Sequence, residues 1–161
     1  MVLEGYDVRQ VCLNGHQTTG YAATMPQFAK PFCPKCGEKT ITVCPECQVP
    51  IHGHYSSPGV LSVRPTPVPN NCHACGTAYP WRQQALAAAV EALQMELEGP
   101  DATEAAALVP LVATDGPRTE VSAMKLKRLM GKLAKPAYDF SIKVVSDVAS
   151  ETAKKVLGLK P

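Results

Sequence analysis

The chain has 161 residues, room for one compact domain or two small ones, and sixteen Lys plus Arg against fourteen Asp plus Glu leave a formal charge of +2. That near-balance excludes neither class of partner, but 45% hydrophobic and 19% charged residues exclude a typical disordered chain and a membrane-core protein. Three Phe, one Trp and five Tyr are a thin supply of large core residues, so the seven Cys, all before residue 76, are the obvious source of further stabilisation.

The amino-terminal stretch Met1 to Gln10 has no basic region followed by an apolar one of the kind that marks secretion, and an odd Cys count argues against a closed disulfide framework. Both point to a reducing cytoplasm. Even the apolar run from Ala85 to Val90 is followed by Glu91, Glu96 and Glu98, so no membrane-spanning helix is expected.

Residues 1–80 hold ten of the fifteen Pro. Short β-favouring pieces (Tyr6 to Val11, Thr18 to Thr24, Thr40 to Val43, Gly59 to Val63) alternate with Pro, Gly and Asn, the pattern of small β-hairpins. Within this half lie three C-x-x-C knuckles, Cys33-Pro34-Lys35-Cys36, Cys44-Pro45-Glu46-Cys47 and Cys72-His73-Ala74-Cys75, and a wider pair, Cys12-Leu13-Asn14-Gly15-His16. Two residues between thiolates form a tight turn that brings both sulfurs to one ion, and N–H groups of the turn can hydrogen-bond the sulfurs. Pro34 and Pro45 preset the turn, while Gly37 and Gly76 permit a left-handed residue after the second ligand. Gly15 can play a similar part in the wider pair.

Cys12, His16, Cys33, Cys36, Cys44, Cys47, Cys72 and Cys75 make eight ligands, enough for two tetrahedral sites, and account for every Cys. Soft thiolates with imidazole favour Zn²⁺, two per chain, in closed structural sites; Fe–S chemistry is the rival. A sequential pairing, Cys12 and His16 with Cys33 and Cys36, then Cys44 and Cys47 with Cys72 and Cys75, leaves sixteen and twenty-four residues between partners, room for a hairpin in each. The other pairing leaves seven residues between Cys36 and Cys44 and makes the outer pairs meet across everything else. Arg64-Pro65-Thr66-Pro67-Val68-Pro69 reads as an extended excursion inside the second module. His52 and His54 are assigned to a loop-rich ribbon, and His73, inside a knuckle, to solvent.

Two catalytic readings fail. The C-P-x-C pairs lack the strand before and helix after that redox pairs use, and no His has the Glu two residues later that a zinc deaminase needs. Eight ligands for two ions also leave no open coordination position, so no enzyme is expected.

The character changes at Tyr79-Pro80-Trp81. Pro80 fits a first helical position, Leu86, Val90, Leu93 and Leu97 come after it at helical spacing, and Gly99-Pro100 stops the run. Asp101 to Glu104 resembles a capping box opening a helix that reaches about Val112, and Asp115-Gly116-Pro117 breaks the chain. From about Thr119 an apolar stripe runs through Leu126, Leu129, Met130, Leu133, Ala137, Phe140, Val144, Val148 and Val156, with a kink or break expected at Pro136. Residues 81–118 carry two basic and six acidic residues, residues 119–161 nine basic and four acidic. These sets pair the first helical segment with the last, or are solvated faces.

The expected fold is therefore α+β and metal-stabilised: a pair of small β zinc ribbons over residues 1–80, with sites spanning about 6–43 and 44–80, and a helical tail over 81–161 broken near 99–100, 115–117 and 136. Tyr6-Asp7-Val8, Val11-Cys12-Leu13-Asn14-Gly15-His16, Phe32-Cys33, Cys36-Gly37, Thr40-Ile41, Cys44-Pro45, Cys47, Pro58-Gly59-Val60, Cys72, Cys75-Gly76 and Tyr79-Pro80-Trp81 resemble a bacterial family of double-zinc-ribbon proteins of unknown function. Pro117-Arg118-Thr119 and Ser146 to Thr152 are similar to that family's helical tail. The resemblance covers nearly the whole chain and implies two metal-bound ribbons and a helical tail in bacteria; it brings no established activity.

Three functions compete. The ribbons can be a rigid platform whose tail docks on a protein partner or a second copy, and this reading leads. Nucleic-acid binding is the first alternative, though residues 1–80 carry only Arg9, Lys30, Lys35, Lys39 and Arg64 against four acidic residues. Lys125, Lys127, Arg128, Lys132 and Lys135 would have to supply the phosphate contacts. Membrane-surface association through the same basic, amphipathic tail is the second.

Overall fold

The computed structural model describes residues 4–61 and 64–160, and the chain divides into two units, one up to Gln83 and one from Gln84 onward. The first contains five short strands: β1 (Gly5–Val8), β2 (Gln10–Cys12), β3 (Gln17–Thr19), β4 (Thr40–Ile41) and β5 (His52–Ser56). Strand β2 is the centre of a three-stranded antiparallel sheet ordered β3-β2-β4, and β1 pairs antiparallel with β5, Tyr6 opposite Tyr55 and Val8 opposite His52.

The pairing of β1 with β5 departs from two consecutive hairpin modules. The expected piece Tyr6 to Val11 splits at Arg9: the residues before Arg9 join a strand beyond Cys47, and those after it join the strands beside Cys12. Both modules therefore share backbone hydrogen bonds, including Arg9 N–H to the Ile51 carbonyl at 2.8 Å. His52 and His54 lie on strand β5 rather than in a loop. Gly53 and polar neighbours hide that strand in the sequence, yet only glycine fits: a Cβ there would lie 2.3 Å from the Gly20 carbonyl oxygen and 2.8 Å from the Val8 carbonyl carbon. The piece Thr18 to Thr24 is strand only to Thr19, and Gly59 to Val63 contributes a bridge between Ser57 and Val60, while Ser62 and Val63 lie outside the described residues.

The core of this unit is small. Val11, Ile51, Tyr79 and Trp81 are buried against the ligand cysteines Cys44 and Cys72, with Ile41 and Val68 half-buried beside them. So little apolar surface makes the cysteine clusters part of the core itself.

Helix α1 (Pro80–Glu96) starts in the first unit and runs into the second, which also holds α2 (Gly99–Val112), α3 (Thr119–Met130), α4 (Lys135–Val148) and α5 (Glu151–Leu157). Ala89, Leu93 and Leu97 of the first helical segment, Leu108, Val109 and Val112 of α2, and Leu126, Leu129 and Met130 of α3 bury together with Val145, Val148, Ala153 and Leu157. The apolar stripe of the tail is thus largely core: Leu133, Val144 and Val156 are half-buried on it, and Phe140 remains 45% exposed. Helix α2 begins at Gly99, so Asp101 lies in its first turn instead of capping it. The stripe breaks between Met130 and Lys135, and Pro136 sits in the opening turn of α4, where its missing N–H costs no helical bond. A further break comes at Ala149-Ser150, where the Ser150 hydroxyl accepts from Ala153 N–H at 3.3 Å and starts α5. Lys132 reaches Asp101 at 2.6 Å, a direct link between the basic and acidic segments. Among the described residues no helix is long and apolar enough to cross a membrane.

Candidate metal centres

The three knuckles have one backbone design. In each, the first Cys N–H donates across the turn, Cys33 to Glu38 at 2.8 Å, Cys44 to Val49 at 2.9 Å and Cys72 to Thr77 at 2.9 Å. Its carbonyl accepts from the residue after the second Cys, Gly37, Gln48 or Gly76. That residue is left-handed every time, with φ of 78, 62 and 76°. Glycine meets this need at two positions; Gln48 meets it with a side chain and hydrogen-bonds back to the Pro45 carbonyl at 3.0 Å. The wider pair turns at Gly15, φ 88°, and Gly15 packs under Trp81.

These turns bring together Cys12, His16, Cys33 and Cys36 in one cluster and Cys44, Cys47, Cys72 and Cys75 in another, the donor atoms of each within 4.8 Å of one another. This is the sequential grouping. A tetrahedral ion with bonds of ~2.3 Å to sulfur sets sulfurs ~3.8 Å apart, and a nitrogen at ~2.0 Å shortens that edge to ~3.6 Å. Cys12 to Cys36 is 3.7 Å, Cys44 to Cys75 3.8 Å and Cys47 to Cys72 3.6 Å. His16 turns its Nδ1 inward, 3.6 Å from Cys12 Sγ and 3.8 Å from Cys33 Sγ. The donor sets therefore fit one ion each. Both clusters have the same depth, with two donors buried, one half-buried and one, Cys36 or Cys75, at the surface.

Hydrogen bonds around the sulfurs favour their charged form. His16 N–H lies 3.3 Å from Cys12 Sγ, Ala74 N–H 3.4 Å from Cys72 Sγ, and the Asn14 side-chain amide 3.5 Å from Cys36 Sγ. The Glu38 N–H is the main influence that pulls the Cys36 thiol down to about 6, and the N–H groups of Cys75 and Ala74 do the same for Cys72. Cys47 goes the other way: the Val49 N–H favours its thiolate, but burial and the sulfurs of Cys72, Cys75 and Cys44 push it up to about 12. Four thiolates repel, and a cation removes that conflict.

Two neighbours carry roles that composition alone did not reveal. Tyr79 is buried, its phenol pushed upward first by burial and then by its hydrogen bond to Cys72. Trp81 stacks on Tyr79 with centroids 4.7 Å apart and donates its indole N–H to the Pro69 carbonyl at 2.9 Å, tying the proline-rich excursion down. The signal was the sole Trp beside a Tyr and a Pro. His73 is exposed, as a knuckle interior suggests, but its ring stacks on His52 at 3.6 Å, and His52 stacks in turn on Tyr6 at 4.1 Å. His54 packs instead against Tyr21.

The bacterial family described as "Uncharacterized protein conserved in bacteria (DUF2321)" matches residues 5–157, and the chain belongs to it. No curated protein and no solved structure matches the chain. Its two cysteine-rich clusters agree with a double-zinc-ribbon arrangement, and the whole is an α+β, metal-stabilised chain.

Proposed function

We propose that the chain is a non-enzymatic, zinc-stabilised protein-interaction module of the bacterial cytoplasm, with the helical unit as its docking element. Two Zn²⁺ per chain is supported by the soft donor sets and by sulfur separations that suit bonds of ~2.3 Å. Each ion would have four protein donors, which suits a structural and not a catalytic role. The clustering of all seven Cys around ion-sized spaces supports a reducing compartment.

The observation that carries docking is on α3. Val121 and Met124, one turn apart, are 58% and 60% exposed, on a helix whose opposite face supplies Leu126, Leu129 and Met130 to the core. Lys125 and Arg128 flank them and form no ion pair among the described residues, so the surface suits a protein partner that offers apolar groups beside carboxylates. Nucleic acid suits it less well, because Lys132 and Lys135 are engaged by Asp101 and Asp139 and Lys127 by the Val156 carbonyl. The test compares wild type with Met124→Glu in cross-linking capture from the native host. The reading expects a partner lost in the variant at unchanged melting temperature. It fails if Met124→Glu retains every partner, or if the wild type instead shifts a nucleic-acid probe or floats with anionic vesicles in a salt-sensitive way.

A further inference from the structure

We propose that the cavity around Arg9, in the first unit, is an anion site that takes a phosphoryl group. It goes beyond the docking reading and does not depend on it. The cavity holds about 220 Å³, and the residues that line it include Arg9, Gln17, Tyr21, His54, Arg64 and Thr66. It is smaller than the ~300–1,000 Å³ of drug-sized pockets, a size that suits one compact charged group.

Arg9 is the centre of the site. It sits where the chain passes from one sheet to the other and is only 3% exposed. A buried guanidinium is ordinarily offset by a carboxylate, because desolvating an unpaired charge is costly. Here every partner among the described residues is neutral: Nε donates to the His52 carbonyl at 2.8 Å, Nη1 to Gln17 Oε1 at 2.5 Å and the Thr66 carbonyl at 3.0 Å, and Nη2 to Thr66 Oγ1 at 2.5 Å. Burial accordingly draws its pKa down. The acid nearest in sequence, Asp7, is engaged elsewhere, by Thr24 and by the N–H groups of Val8 and Ala23. The fork is thus held rigidly without being neutralised, and of its five N–H groups one on Nη2 has no partner among the described residues.

The rest of the lining completes an anion cradle. Arg64 is exposed and has no ion pair among the described residues, so a second cation faces the same space. Thr66 Oγ1 accepts from Arg9, which leaves its own proton to donate. Tyr21 also lines the cavity, and the ring of His54 is set beside its ring at 5.0 Å while the His54 backbone is held by the Gly20 carbonyl at 2.9 Å. Two cations with several separate neutral donors exceed what the two oxygens of a carboxylate can use. They match a dianionic group with three or more oxygens.

The test titrates the full, metal-loaded chain with inorganic phosphate, O-phosphoserine and acetate, following the Arg9 side-chain N–H and the Gly20 and Tyr21 amides by NMR. Saturable shifts are expected with either phosphate probe at a Kd of ~1 mM or tighter, and about tenfold weaker binding of acetate. The tighter of the two phosphate probes separates a phosphate ester from the free ion as the natural source. Arg64→Ala, at the surface, should weaken phosphate at least ~10-fold at unchanged melting temperature, and Arg9→Lys, which keeps the charge but loses the fork, should weaken it too. The proposal is overturned if neither phosphate probe saturates, if acetate binds equally tightly, or if Arg64→Ala binds like wild type.

Discussion

Gly15→Ala is the substitution whose cost can be worked most directly from the structure. At φ 88° a side chain is strained by ~1–2 kcal/mol. The new Cβ would also lie 2.9 Å from Trp81 Cβ and 3.1 Å from its Cγ. Trp81 has little room to yield, since its ring stacks on Tyr79 and its N–H is bound to Pro69. Overpacking against a fixed ring adds ~1–3 kcal/mol, for a total of about 2–5 kcal/mol. Gly37→Ala is the internal control at the same metal cluster: its φ is 78°, but nothing lies within 4 Å of its Cβ, so only the ~1–2 kcal/mol of backbone strain applies. Because metal binding and folding are linked in so small a core, the cost should appear as weaker metal retention, ~30-fold or more for 2 kcal/mol. Competition with a chromophoric chelator, run beside urea unfolding of the metal-loaded chain, measures both variants. If Gly15→Ala and Gly37→Ala prove equal, Trp81 does not cover the Cys12–His16 turn, and this account of the first cluster is wrong.

Cys12→Ser and Cys36→Ser should lose the same ion, Cys47→Ser and Cys75→Ser the other, and all four should keep the helical circular dichroism of α1 to α5; metal counting on the four variants checks this, and a shared loss between Cys36→Ser and Cys47→Ser would refute the grouping. Gln48→Gly should stabilise the second cluster by up to ~1 kcal/mol, because it relieves a left-handed side chain at the cost of one exposed hydrogen bond; a destabilised variant in urea unfolding would contradict that. Ser141→Ala should raise the melting temperature of the helical unit, since the Ser141 hydroxyl is buried with no hydrogen-bond partner among the described residues and removing it recovers ~1 kcal/mol or more; a lowered melting temperature would show that this hydroxyl has a partner.

How much the sequence disclosed depended on the range of each signal. The knuckles are local devices, so Cys33 with Cys36, and Gly37 with its positive φ, could be read from a few residues. The breaks at 99–100 and 115–117 were legible for equally local reasons, although Gly99-Pro100 open α2 instead of ending the helix before it, and Pro117 lies between α2 and α3. The start of α5 was legible in principle from Ser150, an N-cap residue, but the apolar stripe runs through it and hid the break. The pairing of β1 with β5 was not legible, because a strand of His, Gly, Tyr and Ser carries no alternation and its partner lies more than forty residues away. For the same reason Arg9 passed as one charge among sixteen basic residues. Its distinction is burial among neutral acceptors from β3, β5 and the Thr66 segment, a property of the assembled unit. The stripe of Leu126, Leu129 and Met130 could be read as apolar but not as covered. Its cover comes from Ala89, Leu93, Val109 and Val112, and the exposed pair Val121 and Met124 emerges only by subtraction.

Elemental analysis of the purified, undenatured chain, paired with native mass spectrometry, decides whether the two four-donor clusters are closed metal sites. Two zinc ions per chain are expected, one lost with Cys12→Ser and the other with Cys75→Ser. A single ion per chain, or iron with visible absorbance, would contradict two zinc sites.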